Sequence, residues 1–536
     1  MKKIKLVCVA IAMAGAAPTF AGGLLTNTNQ HVAFNRMMSR EASIGIDGVY
    51  YNPAGVVFMG EGHHLAINWQ LAYQTRTINN DYKLFTNNVN NPITPRDFKG
   101  KAFAPVIPSF QYAYNKGKWS FQANFSLTGG GGKCTFDDGL GSFEKIVSET
   151  AIAACGLAGV VDQTLGNKLG QPGMEMFTSD QAFGKTGKYN FNSYMHGRQY
   201  YYGLSAGAAY KFCDNFSAFL GVRGVYALTN YYGYVENINV GNMPLYKVLD
   251  PTKENAANIE LSCDQTGVGF TPIIGVDYKT GRWNFSAKYE FKTRIRLKNK
   301  SVNQTPSIGN LPANLANQMT GILTARYQQA GLPLEQAKQR AENTTNAVLN
   351  DPTVGATMMG LKTQFDQKLN KAIGEYEDGK KIAGDIPGYL ALGIGYSPVD
   401  AVRVNVGFHW FDDKNATSYN NRNKELKRGT LEYNAGVEVD VNKKITLSTG
   451  WQNTNYGLSD EYMDDKSFVV GSNSAAIGGV YHINKKMDLN VAYFHTFYQH
   501  KKTSETVQLA ADKSIVYNSD YTRNNNVFAV GLDINF

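Results

Sequence analysis

The chain has 536 residues and a formal net charge of +9, scattered along its length rather than gathered into a patch; so small and dispersed a charge argues against a nucleic-acid partner. Its 32 Tyr, 28 Phe and 54 Gly, with a negative mean hydropathy, suggest many short strands with alternating faces. Beyond the first residues no run has the apolar length of a membrane helix.

At the N-terminus, Lys2, Lys3 and Lys5 precede an apolar run from Leu6 to Ala17, too short to span a bilayer, and Thr19-Phe20-Ala21 supplies small residues for signal peptidase. A signal peptide over 1–21 with a cut after Ala21 is expected, leaving a net charge of +6 once its three lysines are gone. Cys8 lies inside the apolar run without small residues before it, so it is not a lipoprotein cysteine. Residues 22–62 are too long for a simple tail.

The first strand is expected over 65–73, with Leu65, Ile67, Trp69, Leu71 and Tyr73 on one face. Six hairpins with short polar turns follow, near 115–118, 213–215, 280–282, 398–400, 442–444 and 484–486. In the second arm of the first hairpin, Trp119, Phe121, Ala123, Phe125 and Leu127 alternate with Ser120, Gln122, Asn124 and Ser126. The last strand carries Phe528, Val530, Leu532, Ile534 and the terminal Phe536 against Ala529, Gly531, Asp533 and Asn535. A lone alternating strand says little; the repetition predicts an all-β, fourteen-stranded antiparallel transmembrane barrel over 63–536, with apolar residues toward lipid and polar ones toward the lumen.

With both ends in the periplasm, the six short turns fall there. The long connections, roughly 78–101, 131–196, 232–264, 299–386, 412–428, 457–467 and 500–525, fall outside. Within 301–385, Leu315, Met319, Ile322 and Tyr327 recur at helical spacing, Gly331 and Pro333 break the run, and Leu334, Ala337, Ala341 and Val348 resume it. This predicts a helical external loop over the barrel mouth. Four cysteines remain in the mature chain, with no zinc-like spacing. Cys134 and Cys155 share one predicted loop in an oxidising compartment and are expected to pair; Cys213 and Cys263 would lie at opposite ends of the barrel.

Just upstream of the first strand stands Asn52-Pro53-Ala54-Gly55. This motif, with the signal peptide, the strand count and the terminal Phe, resembles the FadL-type outer-membrane transporters, which include long-chain fatty-acid and aromatic-hydrocarbon channels. The resemblance implies that 22–62 is a hatch plugging the lumen, with the NPA motif inside it. It also implies an inward kink in the third strand that opens the wall sideways. That strand here runs into Gly129-Gly130-Gly131-Gly132, a run compatible with a bulged strand and with the start of a loop.

On the seventh strand, Asn284, Ser286, Lys288, Glu290, Lys292, Arg294, Arg296 and Lys298 occupy the face opposite the apolar one, and parity turns Arg76, Arg223 and Arg403 inward as well. Such charges bind one another, the plug or water, and part of the ladder, Arg223, Lys292, Arg294, Arg296 and Arg403, could hold the head group of an amphipathic anion.

Gly184-Lys185-Thr186 lacks the first glycine of a phosphate loop, Ser179 standing in its place, and there is no G-x-S-x-G. Asp412-Asp413 and Asp464-Asp465 read as solvated loop acids, and His63-His64 as interfacial histidines. No catalytic residue, metal or cofactor is therefore expected. The reading is a passive monomeric channel for small hydrophobic or amphipathic molecules such as fatty acids. Its partners would be outer-membrane lipid, lipopolysaccharide and the barrel-assembly machinery. A haem or porphyrin receptor and an adhesin are the alternatives.

Overall fold

The computed structural model describes residues 25–26, 29–306, 309–510 and 513–536. The expected signal peptide and its cut after Ala21 lie outside them. Among the described residues, fourteen strands form a closed antiparallel barrel: β1 Gly62–Tyr82, β2 Arg96–Lys116, β3 Trp119–Phe136, β4 Tyr189–Cys213, β5 Phe216–Val240, β6 Ile259–Thr280, β7 Trp283–Glu290 resuming as Arg296–Gln304, β8 Tyr389–Val399, β9 Val402–Phe411, β10 Arg428–Asn442, β11 Ile445–Gly457, β12 Ser472–Asn484, β13 Met487–Tyr498 and β14 Lys513–Asn535. β14 closes on β1 from His64↔Asn535 to Tyr82↔Tyr517, and the backbones of His63 and Phe536 exchange hydrogen bonds of 2.7 and 2.9 Å at the seam.

The barrel is inside out relative to a water-soluble protein. On β1, Ile67, Trp69 and Tyr73 are each 42% exposed, whereas Asn68 and Gln70 between them are buried. The same inversion sets outward Leu204, Leu220, Val268 and Phe270 against buried Gln111, Gln122, Asn124, Glu432 and Gln452. A continuous exposed apolar band of this kind is stable only where lipid solvates it, and pairing of β14 with β1 leaves the sheet without a free end strand. The molecule is an outer-membrane type of barrel.

Many strands are longer than the sequence pattern implies: β4 and β5 have 25 residues each and β14 has 23. Crossing a bilayer takes about ten tilted residues, so the upper halves stand above it. There both faces meet water or loops, and the alternation that marks a lipid-facing strand fades. The connections expected at 78–101, 131–196, 232–264 and 500–525 therefore begin later, and parts of them are strand.

β7 corrects a second expectation. Its pairing with β6 runs to Ile273↔Glu290 and resumes at Thr266↔Lys298. That is eight steps along β7 against seven along β6. One extra residue inverts every side chain that follows. Lys288 and Glu290 point inward and are buried, but beyond the break Ile295 and Leu297 are the buried ones, and Arg294, Arg296 and Lys298 are exposed on the outside. The continuous inward basic ladder expected from parity does not exist.

Outside the membrane, α5 Leu311–Gln329, α6 Leu334–Leu349 and α7 Pro352–Ile373 build the β7–β8 connection. Leu315, Met319, Ala337, Ala341 and Val348 are buried as their spacing predicts, whereas Leu323 is buried in place of Ile322. α3, Gly141–Leu169, is a helix the sequence reading left as loop. It is long and apolar enough to cross a membrane, yet it packs over the barrel against α6, α7 and the β5–β6 connection, which holds the short helix α4 Tyr246–Leu249. The expected disulfide is absent. Cys134 and Cys155 are both free, because Cys134 belongs to the cluster around Phe136, Met195 and Tyr521, and Cys155 rides on α3 in a different cluster, its thiol toward the Phe183 carbonyl.

Candidate functional site: hatch, wall gap and lumen cavity

The segment before β1 lies among the inward side chains of the wall. It holds two short helices, α1 Val32–Met37 and α2 Gly48–Tyr51, and residues 30–42 are all buried. Arg36 pairs with Glu438 of β10 and donates to Ser448 (3.0 Å). Arg40 bridges Asp47 (2.7 Å) and Glu438 (3.2 Å). Glu41 meets His409 (2.7 Å), whose other ring nitrogen meets Glu432 (2.9 Å).

The Asn-Pro-Ala motif spans three strands. Asn52 donates to Asp277 of β6 (2.6 Å), the Pro53 carbonyl accepts from Gln122 of β3 (2.7 Å), and the Ala54 carbonyl accepts from Ser217 of β5 (2.7 Å). Asn52 Oδ1 also takes the Gly55 N–H (3.2 Å), closing the turn. Proline withholds no donor that is needed here, and the Asn52 amide and the Pro53 and Ala54 carbonyls each have a wall partner.

The ladder between β2 and β3 is interrupted. Their ladder stops at Ser109↔Ser126 and resumes only at Ala102↔Cys134. β3 stays on β4 across this stretch, through Leu127↔Tyr202, Gly129↔Tyr201 and Gly132↔Gln199, with the extra residues bulged out. Gly130 (φ 95°) and Gly132 (φ 73°) adopt left-handed backbone, and a Cβ on Gly130 would strike the Gln199 carbonyl. Gly129–Gly132 therefore lie in the wall and not in a loop. The positive φ values of Gly130 and Gly132 fall inside the stretch where the β2–β3 ladder is interrupted, while β4 holds the strand in place.

Behind the gap lies a cavity of about 220 Å³. Phe103, Pro105 and Val106 form its outer lip, Leu127 and the glycines its side, and Tyr456, Phe494, Tyr498 and Arg523 its inner end. Phe103 and Val106 are 56% and 59% exposed at the wall. Arg523 stands directly across the β1–β14 ladder from Arg76. It donates to Gln74 (2.8 Å) and lies over the Tyr498 ring (5.1 Å). Among the described residues neither arginine has a carboxylate within ion-pair distance, and Arg523 Nε has no partner. Arg76 also lines a small neighbouring pocket with Lys466, whose ammonium burial draws below the usual lysine range. Farther out, Val147, Leu157, Phe177, Val248, Leu315 and Leu361 are among the lining of an almost wholly apolar cavity of about 120 Å³ between α3, α5 and α7.

The charges singled out from the sequence are mostly spoken for. Arg223 forms a two-pronged pair with Glu290 (2.6 and 3.0 Å) and lies over the Tyr50 ring, which Lys288 also caps. Arg403 chelates Asp440 (2.8 and 2.6 Å) and lies 3.5 Å from Glu438. Lys292 reaches the Asn415 carbonyl (3.0 Å), and Arg296 pairs outside the wall with Asp385 (2.8 Å). Arg523 and Lys466 were missed because both sit in stretches read as loop; the inward alternation of Tyr517, Ser519 and Tyr521 ahead of Arg523 was the available signal.

One other expectation needs correction. Asp413 and Asp465 are buried, not solvated: Asp413 accepts from the Thr430 N–H (2.9 Å), and Asp465 from Ser142 N–H (2.8 Å) and the Tyr521 hydroxyl (3.0 Å). His63 and His64 stand at the start of β1, bonded to Tyr112 of β2 (2.7 Å) and Asn535 of β14 (2.6 Å) respectively.

No family model matches the chain, and no curated protein matches it. Among solved structures it is similar to a FadL homologue of Pseudomonas aeruginosa at 13% identity, covering 96% of this chain and 100% of that one with a TM-score of 0.57. It is also similar to a TodX deltaS2S3 mutant monoaromatic hydrocarbon channel at 13% identity, covering 94% and 98% with a TM-score of 0.50. Over nearly its whole length the chain is built on the fold of the FadL-type outer-membrane transporters.

Proposed function

We propose that the protein is a passive channel carrying small hydrophobic or amphipathic molecules across the outer membrane, releasing them sideways between β2 and β3. The carrying observation is the glycine-bulged break in the wall, backed by a cavity that runs from Arg523 and Tyr456 inside to Phe103 and Val106 outside. An apolar solute that leaves through the wall passes into lipid without crossing the periplasmic water, which is the favourable direction of transfer. The apolar cavity among α3, α5 and α7 offers a first stop outside. Segment 29–61 fills the lumen below and bars a straight path to the periplasm.

Arg76 and Arg523 are the candidate head-group site for an amphipathic anion such as a fatty acid. They replace Arg223 and Arg403, whose charges are neutralised by Glu290 and Asp440. Ala104 tests the route without straining the glycines: its Cβ lies 3.6 Å from where a Cβ on Gly132 would stand. Ala104→Trp should fill the gap, and Gly130→Val with Gly131→Val should clash with Gln199 and close the bulge. Both proteins should still show heat-modifiable migration and reach the outer membrane while uptake of a labelled fatty acid or alkane falls several-fold. Wild-type uptake by both folded variants would place the exit elsewhere.

A further inference from the structure

We propose that the outer wall at β7 is a binding ledge for the phosphate groups of an anionic outer-leaflet lipid. The one-residue slip in β7 that empties the lumen of its expected basic ladder presents the same side chains to the outside. Arg294, Arg296, Lys298 and Lys300 stand exposed along one outward row, which spans about 20 Å at roughly 3.3 Å per residue. The short strand Lys381–Ala383 pairs alongside and sets Lys381 directly opposite Lys298.

Register extends the row around the barrel. Lys300 pairs with Asp264, Asp264 with Asn230, Asn230 with Arg198, and Arg198 with Lys133, so all five lie on one register line across the outer face. Asp264 is the one acid in that row, and Asn230 donates to it (2.9 Å). Among the described residues, Arg294, Lys298, Lys300, Lys381, Arg198 and Lys133 form no ion pair, and Arg198 Nε is buried without a partner. Arg296 alone is tied, to Asp385, and its side chain is still 53% exposed.

The position of the cations against the apolar band identifies the partner. One step toward the membrane, Tyr200, Leu228 and Thr266 lie side by side; the next row holds Tyr202, Tyr226 and Val268, and the next Leu204 and Phe270. Val268 and Phe270 are 64% and 70% exposed, as lipid-facing residues are. Lys298 pairs with Thr266, and continuing that register sets Arg296 beside Val268 and Arg294 beside Phe270, so the cations of β7 climb from the upper apolar band past the tyrosine rows to Lys300, with long stems able to lie over that band and charged ends reaching the lipid head groups. Cations whose stems start in the apolar band reach anionic head groups, whereas solvated surface charge has no reason to start there.

The test uses the full-length protein in a neutral detergent and native mass spectrometry. Lipid A bearing both phosphates should bind, and weaken as salt rises; lipid A stripped of phosphate should bind at least tenfold more weakly. The variant Arg296→Gln/Lys298→Gln/Lys300→Gln/Lys381→Gln should lose at least tenfold toward the phosphorylated lipid and nothing toward the stripped one. Because four changes could disturb the wall, Lys298→Arg/Lys300→Arg/Lys381→Arg should bind like wild type. A control at the periplasmic turns, Lys443→Gln/Lys444→Gln/Lys485→Gln/Lys486→Gln, should too. Equal binding of both lipids, undiminished binding by the quadruple variant, an equal loss in the turn control, or displacement of the lipid by equimolar inorganic phosphate would overturn the proposal.

Discussion

Glu438→Gln should loosen the hatch without loosening the barrel. The Glu438 carboxylate faces Arg36, Arg40 and Arg403, and the three inner side chains of this cluster are each only 6–7% exposed. Removing one partner of a buried pair costs about 3–5 kcal/mol, because the charge left behind stays desolvated. Two features reduce that figure here. Arg40 keeps Asp47, and the cluster borders a polar cavity of about 510 Å³ at the periplasmic end, lined by Arg40, Asn284, Arg403 and Glu438. About 2–3 kcal/mol remains, mostly from Arg36, since a partly hydrated cation loses less. That loss falls on docking of the 29–61 segment, because the strand ladders do not depend on it. Hydrogen exchange of amides in 31–59 should therefore quicken roughly 30–150-fold, at about 1.4 kcal/mol per tenfold, while β10 and β11 exchange as before. Unchanged exchange in 31–59, or an equal loss of protection in the strands, would refute the assignment of this cluster as the lock between segment and wall.

Asp440→Asn, at the rim of the same cluster, removes a pair whose two side chains are each 35% exposed; it should change docking by less than about 1 kcal/mol in the same exchange experiment. Burial pushes the Asp413 carboxyl up to about 7, so the folded loop keeps a proton that the unfolded loop gives up. Stability of 412–427 is then greatest below about pH 4 and falls as pH rises to about 7, by a few kcal/mol in order of magnitude. Limited proteolysis of that loop should speed up toward pH 8 in wild type and stay flat in Asp413→Asn. Arg76→Gln/Arg523→Gln should weaken binding of a fatty-acid anion at least tenfold, about 1.5–3 kcal/mol for a lost charged hydrogen bond, and leave a neutral alkane unaffected; equal losses for both ligands would remove the head-group assignment. Mass mapping without reductant should find Cys134 and Cys155 unlinked, with exposed Cys213 alkylated first and Cys155, whose thiol burial raises, among the slow ones.

The fourteen strands were legible because lipid on one side and a polar lumen on the other impose a period of two, and the six short turns repeat a polar signature. The Asn-Pro-Ala segment was legible by position. At β7 what failed was reasoning by parity, which assumes an unbroken ladder. The extra residue in β7 has no compositional mark, since Lys-Thr-Arg-Ile reads as regular strand, yet it moved Arg294 and Arg296 from lumen to exterior. The upper half of β14 failed for a related reason. Tyr517 to Arg523 alternate, but against water and loops rather than lipid, so the pattern carried no apolar face and Arg523 went unread. α3 was hidden by its small residues: Ala151, Ala158 and Val161 are buried at helical spacing, but the runs between them hold too little contrast to stand out.

Glycine marks two opposite devices in this wall, and they can be told apart by what a side chain would meet. At Gly130 a Cβ would strike the neighbouring strand's own backbone, so the glycine interrupts a ladder. At Gly393, Gly436 and Gly450 it would strike Glu41, Met37 or the carbonyl of Met37, so the glycine makes room for another segment lying flat against intact strands. The ladders through these positions run without a shift, as in Gly436↔Gly450 and Gly393↔Gly407. The seat of the 29–61 segment is thus cut into β8, β10 and β11, on the far side of the barrel from the β2–β3 gap. Its ion pairs with Glu438 and His409 lie on that same side. The Asn-Pro-Ala turn adds anchors on β3, β5 and β6, and Gln30 bonds Leu127, Ser109 and Gln111 at the edges of the break, so the segment ties the two sides of the barrel together.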